Sequence, residues 1–271
     1  MNRVAKIERV SDLLSFDHAF LNPEQQTSVH KQRGQISLDL DASRGGTPAT
    51  NLRIVGFDEA GRGSLAGPVT VACAHFNWKN LLTSDGDFRG AVLEAYADLN
   101  DSKQVTIRNR ERLYQRILAE ALCGIGCASA PEIDQLGIVA SCYLAANRAY
   151  RNLQTSSPEC GFSADIGLFD RGLSLGGEEG GALIPFTVQI TKGDAKSFHI
   201  AAASILAKVR RDAILCTLDA RADVYGFAEA YGFAEPYGFA RHKGYGSAAH
   251  IEAIRQHGPS KFHRKTFLTK I

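Results

Sequence analysis

The sequence predicts an α/β domain with a mixed central sheet flanked by helices, plus a C-terminal helical segment. Short apolar, β-branched runs alternate with stretches of helical periodicity, the pattern of strands returned to one sheet through helices. The chain has 271 residues, 44% hydrophobic and 22% charged, which suits one large globular core. No apolar run approaches spanning length, and the start, Met1 to Arg9, lacks the apolar stretch of a signal peptide. A cytoplasmic protein without membrane association is expected.

Residues 1–50 read as a helical lead-in with Ile7, Val10, Leu13 and Leu14 on one stripe, then a polar link through Arg44-Gly45-Gly46-Thr47-Pro48. Residues 51–224 form the main domain. Arg53 to Phe57 reads as a buried strand, and Pro68 to Phe76 as a second, with His75 in or beside the core. Residues 77–100 give no clear pattern. A helix is expected from about Thr106 to Leu122, with Leu113, Ile117 and Ala121 inward, then a strand over Cys123 to Ala128. Pro131 opens one helix running to about Leu153. Strands follow at Ile166 to Phe169 and Ile184 to Ile190, then a helix over Ile200 to Asp212. Residues 225–271 hold a repeat, a helix from about Ala248 to His257 stopped by Gly258-Pro259, and a basic end.

The chemistry gathers where the first strand ends, at Gly56-Phe57-Asp58-Glu59-Ala60-Gly61-Arg62-Gly63. Two adjacent carboxylates at the end of a buried strand repel each other and resist burial unless a cation neutralises them. Oxygen ligands of this kind favour magnesium or manganese. Gly61 and Gly63 let backbone amides approach a ligand, and Arg62 has the reach and charge for a phosphate. Asp170 stands at the end of the 166–169 strand, as Asp58 does on the first. Asp165 competes with it but precedes that strand. Asp194 follows the next strand within Lys192-Gly193-Asp194-Ala195-Lys196-Ser197. Ser102 and Lys103, before a helix, suit phosphate contact, although an N-cap accounts for Ser102 as well.

A net charge of +2 leaves nucleic-acid binding to local patches. One such patch is Arg241, His242, Lys243, Lys261, His263, Arg264, Lys265 and Lys270, interleaved with Tyr245, Phe262 and Phe267. Of six cysteines, Cys123 and Cys127 form a lone C-x3-C without a second pair or nearby histidines, so reduced, mostly buried thiols are expected in place of zinc ligands.

The run from Gly56 through Gly63, continued as Ser64-Leu65-Ala66-Gly67-Pro68-Val69, resembles the opening motif of ribonuclease HII, the type 2 ribonuclease H family. Asp101-Ser102-Lys103, the alanine-rich 200–212 helix and Tyr237-Gly-Phe-Ala continuing into His242-Lys243-Gly244-Tyr245-Gly246 resemble further family motifs. The likeness spans roughly residues 53 to 267 and implies the ribonuclease H fold. It implies that Asp58, Glu59, Asp170 and Asp194 are catalytic and hold Mg2+ or Mn2+. It also implies that Gly61, Arg62, Gly63, Ser102, Lys103 and Tyr245 bind substrate, with Lys192, Ser204 and Lys208 in support. The substrates implied are RNA/DNA hybrids and duplex DNA containing ribonucleotides, cut 5′ of the ribonucleotide to leave 5′-phosphate and 3′-hydroxyl ends. A monomer is expected, and no protein partner is legible.

The chain departs from the family in two places. Asp170-Arg171-Gly172 stands where Asp-Gly is usual, before a glycine-rich loop from Gly176 to Gly181. Residues 225–236 add two hexamers, Tyr-Gly-Phe-Ala-Glu-Ala and Tyr-Gly-Phe-Ala-Glu-Pro, ahead of the family's single copy. They read as a tolerated insertion in preference to a stacking platform, because they carry Glu229 and Glu235 and no cation. Arg171 and the long loop keep open a catalytically silent hybrid-binding protein, and a different metal-dependent phosphoesterase is the other alternative.

Overall fold

The computed structural model describes residues 2–21, 52–158, 161–176, 183–224, 237–269 and 271, with backbone only for 220–224. The hexamers and most of the glycine-rich loop lie outside the described residues. The chain opens with α1 (Arg3–His18), then β1 (Ile54–Ala60) and β2 (Val69–His75). Two short helices, α2 (Trp78–Leu81) and α3 (Gly90–Ala95), occupy the stretch that had no sequence pattern. There follow α4 (Ile107–Glu120), capped by Thr106, then β3 (Leu122–Ala128), α5 (Ala130–Leu136) and α6 (Ile138–Ser156). After β4 (Ile166–Asp170) and β5 (Phe186–Ile190) come α7 (Phe198–Val224), α8 (Phe239–His242) and α9 (Ala248–His257).

One sheet runs β3-β2-β1-β4-β5, and it is mixed as predicted. β1 is antiparallel to β2 and parallel to β4, and β4 is parallel to β5. Alternation along the strands divides the core. Ile54, Ala72, Ala74 and Leu168 pack with α7, whereas Val55, Phe57, Val71 and Phe169 pack with α6. Glycine allows both contacts to be close. A β-carbon at Gly56 would stand 2.3 Å from the carbonyl carbon of His199, and one at Gly126 would stand 2.2 Å from the Ala145 oxygen.

Three expectations need correction. β1 continues through Asp58 and Glu59 to Ala60, paired with β2, so the acids are strand residues and not loop residues. The single helix expected from Pro131 to Leu153 is two, divided at Gly137, which takes φ 77°. The central helix begins earlier and runs much further than 200–212. Thiol burial is mixed: Cys73 and Cys142 are buried, Cys123 and Cys127 half-buried, and Cys216 exposed. His75 bonds through Nδ1 to the Ile54 oxygen at 2.8 Å, and burial pushes its pKa down to about 4.

The lead-in helix joins the main core through Val10, Leu13 and Leu14. Beside them Asp17 is fully buried, and its Oδ2 accepts from the His199 backbone N–H at 2.9 Å and from His199 Nδ1 at 2.7 Å. His199 Nε2 accepts from the Phe76 N–H at 3.4 Å, which places the ring proton on Nδ1. One carboxylate thus ties α1 to the first turn of α7. Asp17→Ala leaves two buried donors without an acceptor and should lower stability by about 3 kcal/mol in urea unfolding.

Candidate active site

The parallel register of β1 and β4 pairs Phe57 with Phe169, so the next residues, Asp58 and Asp170, emerge side by side on the α7 face. Each is held by a neighbouring amide. Asp58 Oδ1 accepts from the Glu59 N–H at 2.7 Å, and Asp170 Oδ1 from the Gly193 N–H at 2.8 Å. Strict alternation would send Glu59 to the opposite face. At the end of the strand its carboxylate nevertheless comes within 4.8 Å of those of Asp58 and Asp170, one ligand atom from each. Asp194 is outside that set but electrostatically within reach of Asp58 and Asp170. Its 3-10 turn (Gly193–Ala195) follows Lys192, an exposed residue in left-handed conformation at φ 55°.

Burial and like charge oppose ionisation here. Asp58, 7% exposed, is held well above the usual carboxylate range by burial first, then by Glu59, Asp170 and Asp194. Burial likewise raises Glu59, opposed by Arg62, whose Nη1 stands 3.6 Å from Glu59 Oε1. Burial, Asp101 and Asp170 push Asp194 up to about 6, with Lys103 opposing. Glu59 Oε2 is buried and accepts no hydrogen bond among the described residues. Three converging carboxylates, one with an orphaned oxygen, fit the oxygen-donor set of a divalent cation.

The Gly61–Gly67 turn sits beside these acids. Gly61 takes φ 89°, and a β-carbon there would lie 1.8 Å from Arg211 Nε. The Gly61 oxygen accepts from the Ser64 hydroxyl at 2.9 Å, and the Arg62 oxygen from Arg264 Nη1 at 3.0 Å. In a trans peptide the N–H points away from the carbonyl, so these inward carbonyls turn the amides of Arg62 and Gly63 outward. The amides of Ser64, Leu65, Ala66 and Gly67 all donate to backbone oxygens. Gly63 is exposed, and among the described residues nothing lies within 4 Å of a β-carbon built on it. Tyr245 lies across from the turn, with its exposed ring over the Arg211 guanidinium, 5.3 Å from centroid to Cζ.

Residues 55–270 match the family model for ribonuclease HII. The chain belongs to that family. It is 39% identical over 214 residues to the ribonuclease HII of Pseudothermotoga lettingae, covering 79% of this chain and 76% of that protein. It is 42% identical over 219 residues to that of Syntrophotalea carbinolica, covering 79% and 85%. Among solved structures, ribonuclease H2 from Pyrococcus horikoshii OT3 superposes with a TM-score of 0.54 at 22% identity, over 79% of this chain and 93% of that one. Bst-RNase HIII in complex with Mn2+ gives 0.55 at 18%, over 91% and 76%. These last two show a shared ribonuclease H-like fold. As a family member, the protein is a ribonuclease H endonuclease, a hydrolase of phosphodiester bonds.

The remaining predicted residues of the ribonuclease are distributed unevenly. Asp165 caps the opposite end of β4, with Oδ2 accepting from the Arg53 N–H at 2.9 Å. Lys103 is exposed and acts electrostatically on Glu59 and Asp194. Ser102 is buried and accepts from the Ser204 hydroxyl at 2.9 Å, which fastens the 101–103 loop to α7. Ser204 therefore supports that loop, and Lys208 pairs with Asp212 at 2.8 Å. Arg171 is exposed, and Asp170 keeps its place in the cluster beside it.

The basic end is not one surface. Arg241, Lys261 and Lys265 are exposed, whereas His263 and Arg264 are buried and hold the turn and the Tyr245 loop from behind. Sequence reasoning missed that role, and it missed Arg211. The available signal was a lone arginine on the inward stripe Ala207, Arg211, Leu215.

Behind Tyr245, His250 Nδ1 donates to the Tyr245 oxygen at 2.9 Å, and its Nε2 stands 3.0 Å from His263 Nε2. His263 Nδ1 accepts from the Ser260 N–H at 2.9 Å. Both rings are thus bonded as neutral tautomers. Burial and then His250 push the His263 pKa down to about 4, below its unfolded value of 6.5. Its contribution to stability is therefore complete above pH 6.5 and is lost as pH falls toward 4. That loss should be of order 3 kcal/mol in unfolding titrations and smaller in His263→Asn, which takes up no proton.

Proposed function

We propose that the ribonuclease hydrolyses the RNA strand of RNA/DNA hybrids. It also cuts 5′ of a single ribonucleotide embedded in duplex DNA, leaving 5′-phosphate and 3′-hydroxyl ends. The observation that carries this reading is the convergence of Asp58, Glu59 and Asp170 beside two outward amides and an exposed tyrosine ring. Asp58, Glu59, Asp170 and Asp194 would hold magnesium or manganese. Such ions, when bound, supply an activated water and charge stabilisation at the leaving oxygen.

The chain's own groups do the rest. Arg62 and Lys103 bring positive charge to the acids from the substrate side and suit the flanking phosphates. The 2′-hydroxyl alone distinguishes RNA from DNA at one sugar, and it needs hydrogen-bonding partners and a snug wall. The Arg62 and Gly63 amides are the partners, and the Tyr245 ring is the wall.

Asp58→Asn nearly keeps the shape while removing a ligand charge. Its turnover on a hybrid duplex should fall by more than about a hundredfold with the fold intact by circular dichroism. Asp165→Asn should cut at close to the wild-type rate, because Asp165 serves the far end of β4. Near-normal cleavage by folded Asp58→Asn protein would remove the assignment.

A further inference from the structure

Arg211 is wholly buried on α7, yet its guanidinium reaches both halves of the proposed ribose-reading surface. On the turn side, Nε donates to the Pro68 oxygen at 3.0 Å. Nη2 donates to the Ala66 oxygen at 3.1 Å and to the Ser64 hydroxyl at 2.7 Å. Ser64 passes that constraint on by donating to the Gly61 oxygen, which fixes the peptide whose N–H is the outward amide of Arg62. On the tyrosine side, Nη1 donates to the Lys243 oxygen at 2.8 Å, and the guanidinium plane supports the Tyr245 ring. The two segments also meet directly, with the Leu65 and Ala66 amides donating to the Gly244 oxygen at 2.8 and 3.2 Å.

Only an arginine serves all of these acceptors. Its five donors lie in one plane that also stacks on an aromatic ring, whereas a lysine offers three donors from one point. The absent side chain of Gly61 makes the room that Arg211 Nε fills.

We infer that Arg211 is a positioning residue for ribose discrimination, holding the Arg62 amide and the Tyr245 ring at a set separation across the sugar. This rests on the ribonucleotide-cutting reading above. Arg211 acts on the turn and the ring, and the carboxylates are held independently by the Glu59 and Gly193 amides. Its loss should therefore spare metal binding and change substrate preference.

The experiment compares kcat/KM on a duplex with one embedded ribonucleotide and on a continuous hybrid, for wild type, Arg211→Lys, Tyr245→Ala and the double variant. Arg211→Lys should lower the ratio of single-ribonucleotide to hybrid cleavage about tenfold, with Mn2+ affinity by calorimetry unchanged. In the Tyr245→Ala background the same substitution should lower the ratio less than in wild type, because the separation it sets then has only its turn side left. If Arg211→Lys does not fold, Ser64→Ala breaks the relay to Gly61 and should shift the ratio in the same direction. A ratio preserved within about twofold in a folded variant, or an equal loss in both backgrounds, overturns the inference. A wild-type protein that cuts neither substrate overturns the functional reading instead.

Discussion

Asp58 is a carboxylate with little access to water and three other acids within electrostatic reach. The arrangement around it follows from holding like charges together without letting them move apart. β1 and β4 supply the rigid pair, because parallel strands cannot shift register without exposing the faces packed on α6 and α7. Backbone amides then take one oxygen of Asp58 and one of Asp170, while one ligand atom from each carboxylate stays within 4.8 Å of the others and of Glu59. The close approach of α7 over Gly56 and its tie to Asp17 keep the helix from drifting off that strand. A site strained in this way is poised for a cation, since binding removes the repulsion that its own fold imposes.

The neighbouring turn solves the opposite electrostatic problem. Arg211 and Arg264 are both fully buried, and burial together with the Arg211 charge pushes Arg264 down to about 9. Their partners are mainly carbonyl oxygens of the 62–68 turn and Lys243. Cations buried against carbonyls orient peptides, and the amides on the other side become available to a ligand. Acids in front and guanidiniums behind therefore share one short stretch of chain. In the proposed reading, this is how a protein of net charge +2 concentrates its recognition chemistry locally.

Much of this is legible in the sequence. Asp58 and Asp170 both follow apolar, β-branched runs, and parallel strands of that kind place their ends at one edge of a sheet. Glu59 was less legible, because period-two alternation assigns it to the other face and only the geometry at the end of β1 returns it to the cluster. The division at Gly137 was hidden because a helical pattern continues on both sides of it. Asp17 and His199 lie 182 residues apart, and nothing local in the sequence announces a buried pair at that separation. The end of the chain misled by composition. Charge suggests solvent, yet His263 and Arg264 are buried and bond to groups that the fold alone brings to them.

The central claim is that the carboxylates are strained by one another and relieved by a divalent cation. Calorimetric titration with Mn2+ in two buffers of different ionisation enthalpy tests it most directly, since it reads both binding and the protons that binding displaces. The account predicts saturable binding with net proton release, both lost when Asp58 and Asp170 are changed to Asn. Saturable binding that survives that double change, or no binding by the folded wild-type protein, would contradict it.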